Sequence, residues 1–151
     1  MLRTLTLATV VVLAAIPAVA QRRPAEPANA LSAVQAYDCT FTRYGVARWD
    51  GEAPTVLTGE DTFRLGITNV DTRRSRARIV AGTVTVEASA MLTPTGLNVI
   101  EQTPGGNFIL TTIFTVARSA DTYYAVHARH LGDLTTPPSA SQYYGTCEVA
   151  N

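Results

Sequence analysis

Thr83-Val84-Thr85-Val86-Glu87-Ala88-Ser89-Ala90 decides the fold, because apolar and polar residues alternate through it with a period of two. Successive side chains of a strand point to opposite faces, so such a stretch lays one face on a core and shows the other to water. Pro94-Thr95-Gly96 then turns the chain, and Leu97, Val99 and Ile100 begin another strand. Upstream, Cys39 and Phe41 alternate with Asp38, Thr40 and Thr42, while Phe63, Leu65 and Ile67 alternate with Thr62, Arg64, Gly66 and Thr68. Ala77 and Ile79 mark a short segment ending at Gly82.

Downstream, Pro104-Gly105-Gly106-Asn107 is a hairpin signal leading into Phe108–Val116. That segment is apolar on both faces and is expected to be buried on both, with Leu110 and Phe114 joining Val84 and Val86 in the interior. Tyr123–Leu131 and Tyr143–Val149 complete seven or eight strands. No apolar stripe of helical spacing follows residue 20, although Ala28 to Ala36 has room for one or two helical turns. The expected fold is all-β: a small antiparallel barrel of seven or eight strands, with a two-sheet sandwich as the alternative. Pairing of the first and last strands removes the sheet edges.

The N-terminus reads as an export signal. Arg3 supplies the positive charge, Leu5–Ile16 an apolar run of 12 residues, and Pro17 a break before the small-x-small site Ala18-Val19-Ala20. Such a run is too short to span a bilayer as a helix, and no second one follows. No cysteine stands at the cleavage site to carry a lipid, and Asn69, Asn98 and Asn107 lack the Ser or Thr of a glycosylation acceptor. The expected location is a bacterial periplasm or exterior. The expected organisation is a signal peptide over residues 1–20, a flexible segment over 21–36 and one all-β domain over 37–151, with no transmembrane segment once the signal is removed.

All 12 basic residues are arginine against 12 acids, so the chain has no global field to attract nucleic acid, which is excluded as a partner. Cys39 and Cys147 are the only cysteines, and an oxidising compartment favours their pairing. A bond between the first and last strands closes a loop worth roughly 4 to 5 kcal/mol in chain entropy. A membrane-spanning barrel is disfavoured, since spanning strands need about 9 to 11 residues and only Phe108–Val116 and Thr83–Met91 look that long.

His127 and His130 are the only histidines, and three residues apart on a strand they face opposite ways. Joint metal ligation is therefore awkward, and neither a metal nor another cofactor is expected. Serines and acids lie near them in sequence, but none sits in a Gly-x-Ser-x-Gly elbow. Arg73, Arg74, Arg76 and Arg78 form the one dense charge run, a candidate anion site because guanidinium groups fork phosphate and carboxylate. The tyrosine pairs 123/124 and 143/144 each split across a strand. Tyr124 and Tyr144, with His127, Arg129 and His130, form the candidate ligand site.

Thr135 to Glu148, containing Ser141-Gln142-Tyr143-Tyr144-Gly145-Thr146-Cys147, together with Ala125–His130, resembles a group of small exported bacterial proteins that end in a Ser-Gln-Tyr-Tyr-Gly-x-Cys-like segment. The likeness covers the last third of the chain and implies no activity. The expected function is a non-enzymatic binding or envelope-associated module, its partner a small ligand or an envelope protein. The alternatives are a small periplasmic hydrolase using His127 or His130, and a protein-interaction or inhibitor module acting through its surface.

Overall fold

The computed structural model describes residues 29–150. The expected signal peptide and residues 21–28 lie outside the described residues. Eight antiparallel strands follow in sequence order: β1 (Tyr37–Asp50), β2 (Ala53–Asp71), β3 (Arg76–Ala81), β4 (Val84–Thr93), β5 (Gly96–Gln102), β6 (Phe108–Ser119), β7 (Thr122–Leu131) and β8 (Ser139–Val149). Each pairs with its neighbour, and β1 also pairs with β8, so one sheet closes into a barrel and the two-sheet alternative falls away.

The disulfide Cys39–Cys147 is formed, and its two residues are directly opposed in the β1–β8 ladder. It therefore staples the seam of the barrel. Tyr37, Cys39 and Phe41 of β1 point inward with Leu65 and Ile67 of β2, and they meet Ile79, Leu97, Val99 and Ile113 in one continuous core. Only one buried side-chain polar atom among the described residues lacks a hydrogen-bond partner, the hydroxyl of Tyr37.

Residues 29–36 belong to this packed unit, which corrects the boundary expected at residue 37. Ala30–Ala33 forms a 3-10 turn, whose Asn29 side chain accepts from the Leu31 amide at 2.9 Å and donates to the Thr93 carbonyl at 2.7 Å. The Leu31 side chain is fully buried in the core. Gln35 and Ala36 then accept backbone hydrogen bonds from Val70 and Ala150. These bonds reach β2, β4 and the residue after β8, so the segment caps one end of the barrel.

Two sequence expectations about the interior fail. Val84 is 59% exposed, and Leu110 and Phe114 lie on the outer wall, because Ile109, Thr111 and Ile113 of β6 are the residues that turn inward. The strand is apolar on both faces, and only its register with Leu97 and Ala125, both buried, settles which face goes in. Strand length fails as an argument against a membrane barrel as well: β1, β2 and β6 run to 14, 19 and 12 residues. Polarity supplies a better one. The inner face of the capped half is apolar, while Asp38, Arg43, Glu60, Arg64, Arg78 and Glu87 stand on the outer wall, the reverse of a barrel set in lipid. Among the described residues, no helix is long and apolar enough to cross a membrane.

Candidate functional site

A β-bulge between Phe41 and Arg43 governs the outer wall. Tyr37, Cys39 and Phe41 point inward before it; after the extra residue, Tyr44 continues the inner face, and Arg43, Gly45 and Ala47 face out. Register then builds a small grid. Arg43 lies between Glu60 and Tyr144, Gly45 between Thr58 and Gln142, and Ala47 between Val56 and Ala140.

Gly45, Ala47 and Ala140 are too small to fill the wall, so they leave a recess of about 770 Å³ flanked by the longer neighbours. At one end Arg43 and Glu60 form an ion pair across the strands. Both side chains are well exposed, so the pair adds little stability, but it cancels the local charge. Along the β8 side, the Tyr144 hydroxyl donates to Gln142 Oε1 at 2.6 Å, which ties the phenol to its neighbour two residues back on the strand.

Tyr144 is also the divide to a second recess, of about 320 Å³, bordered by Phe114, Arg118, Tyr124 and Val126. Tyr144 opposes Val126 across β7 and β8, and Tyr124 opposes Thr146, so the two tyrosines are diagonal neighbours on one face. Each is 48% exposed. The structure thus brings together two of the five expected ligand residues and separates the other three.

His127 points into the barrel, where Thr111 Oγ1 lies 2.9 Å from Nδ1 and the rings of Phe41, Phe63 and Tyr143 enclose the imidazole at centroid distances of 5.7, 5.1 and 5.9 Å. Burial, assisted by the nearby Arg129 charge, pushes its pKa down to about 4, so the ring is neutral at pH 7. Arg129 shares this inner face between Ile109 and Ser141, nearer the uncapped end. His130 faces out beside Phe108 and, with Trp49 and Ser139, borders a cleft of about 510 Å³ at that end. No acid lines that cleft. Among the described residues, His127 meets a hydroxyl and three aromatic rings, and His130 shares its cleft with the Ser139 hydroxyl.

The arginine run divides as well. Asp71 accepts from the backbone amides of Arg73 and Arg74 and pairs with the Arg74 guanidinium, contacts that hold its carboxyl below the usual range. Arg78 binds Glu87 on the next strand at 2.6 Å. Two of the four cations are thus engaged by acids, and the run is a turn plus the outer face of β3. Among the described residues, no group of three or more His, Cys, Asp or Glu comes together as a metal site.

Arg43, Gly45, Glu60 and Gln142 were not singled out from the sequence. Their local signals are the small-residue spacing Gly45-Val46-Ala47 within a strand and, for Gln142, its place in the Ser141–Cys147 string. Fold and wall together define a small, disulfide-stapled, end-capped barrel with recesses on its exterior. No protein-family model matches the chain, and no curated protein does either.

Proposed function

We propose that the protein is an exported, non-enzymatic binding module of a bacterial envelope or exterior, and that it engages its partner through the outer wall over β8, β1 and β2. The observation that carries this reading is where space is found: side chains pack the capped half of the barrel, while the recess over Gly45 lies open between an aromatic ring and a neutral ion pair. Binding sites tend to be concave and mostly apolar with a few placed polar groups, which describes this wall. Export is supported by the leader over residues 1–20 and by the Cys39–Cys147 bond, which suits an oxidising compartment.

Site-directed photocrosslinking in the native envelope tests the reading. A photoreactive residue at Thr58, beside the recess, is expected to yield discrete adducts; the same residue at Asp38, on the wall near the capped end, is expected to yield few. Equal labelling at both positions, or none at Thr58, overturns it.

A further inference from the structure

We infer that the outer wall binds an oligosaccharide, with one uncharged sugar ring over Gly45 and the chain crossing Tyr144 toward Tyr124; this rests on the binding-module reading above. The floor is the first argument. Gly45, Ala47 and Ala140 leave an apolar floor of small residues, and a pyranose has an apolar C–H face to set on it. The walls are the second. Tyr144 offers a ring with one polar edge, and the remaining donors of Arg43, the second oxygen of Glu60 and the amide NH2 of Gln142 stay available to sugar hydroxyls beside the Arg43–Glu60 and Tyr144–Gln142 contacts.

Charge narrows the ligand further. Because Glu60 neutralises Arg43, an anion gains nothing over Gly45, whereas neutral hydroxyls can both donate and accept there. Arg118 borders the second recess, so an acidic substituent is tolerated only beyond Tyr144. An extended peptide is disfavoured at this place. β1 has ladder partners on both sides, β2 and β8, so the floor has no spare backbone groups with which a strand could pair.

Two recesses divided by one aromatic ring imply a chain of sugars. On neighbouring strands, diagonal positions lie roughly 7–8 Å apart, which places Tyr124 beneath a ring next to the one at Tyr144. The Gly45 site also permits a clean block. A Cβ built there meets nothing closer than 4.0 Å, so Gly45→Leu sets a branched side chain on the floor of the recess with room for its first carbon.

The test is a titration of the oxidised, exported protein with cellotetraose, chitotetraose, maltotetraose and mannotetraose, followed by amide chemical shifts. At least one sugar is expected to shift residues 43–47 and 140–146. Gly45→Leu and Tyr144→Ala should each weaken it about tenfold or more, and Tyr124→Ala should weaken the tetrasaccharide but not the matching disaccharide. Thermal melting of each variant confirms that the fold is kept. Absence of shifts with every sugar, or shifts that survive both Gly45→Leu and Tyr144→Ala, overturns the inference. If sugars fail while Thr58 still crosslinks in the envelope, the saccharide assignment falls and the binding module stands; if both fail, both fall.

Discussion

Lowering the pH from 7 to 4 should destabilise this barrel through one buried ring. In the unfolded chain His127 takes up its proton near pH 6.5, but in the fold burial and the Arg129 charge hold it back until about pH 4. The unfolded state therefore binds more protons between these values, and stability falls as the pH falls through that window. Above pH 6.5 the contribution is fully present, and below about pH 4 the loss levels off. At about 1.4 kcal/mol per pH unit the total is about 3 kcal/mol, a fifth to a half of what a domain of this size commonly has. Urea titrations at intervals from pH 7.5 to 4, read by far-UV circular dichroism, should show the midpoint falling by about 1.5 M for a slope near 2 kcal/mol/M. Asp71 and Asp133, whose carboxyls are held below their ordinary value of 3.8 by hydrogen bonds from the Arg73–Arg74 and Thr135–Thr136 turns, begin to lose their own stabilisation at the acid edge of this window, so the His127 slope is read between pH 6.5 and about 5. The double variant His127→Leu/Thr111→Val removes both partners of the buried hydrogen bond and should flatten the slope between pH 6.5 and 4. A flat profile in the unaltered protein, or an equal slope in the double variant, refutes the assignment.

Reduction of Cys39–Cys147, which spans 108 residues, should cost about 4 to 5 kcal/mol and raise the denaturant slope as the unfolded chain expands. Two thiols that react in denaturant without reductant would refute that. Tyr37→Phe removes the buried hydroxyl without a partner and should raise stability by about 1 kcal/mol in urea titration; a comparable loss would mean that the hydroxyl is bonded in solution. Gly145→Ala places a methyl against the Thr40 carbonyl oxygen and 2.6 Å from Phe41 Cα, so the backbone of the seam must move, at a cost of about 3 kcal/mol. Gly45→Ala, with open space, should change stability by less than about 0.5 kcal/mol; equal effects at the two glycines would refute the packing described for the seam.

What could be read from the sequence was whatever period two controls. The alternations at Thr62–Thr68 and Thr83–Ala90 place their strands and core faces well, and the opposed directions of His127 and His130 follow from the same rule. Arg43 to Asp61 was silent because the bulge after Phe41 breaks the alternation, and Gly45, Pro54 and Gly59 dilute strand character. Phe108–Val116 misled because both faces are apolar, so pattern alone cannot choose between them. Tyr124 and Tyr144 emerged as outward residues. Their neighbours in the recess could not, since Glu60, Arg43 and Tyr144 meet only through the register of β2, β1 and β8, strands far apart in the chain.

The seam between β1 and β8 also sets an order of events. β1 is among the first strands made and β8 is the last, so a growing chain leaves one flank of β1 vacant until Cys147 emerges. Closure must wait until β8 has been made. Oxidation then acts as an inspector of alignment. A slip of one residue between β1 and β8 would send one sulfur inside and the other outside, so only a correctly matched pair of strands can be sealed.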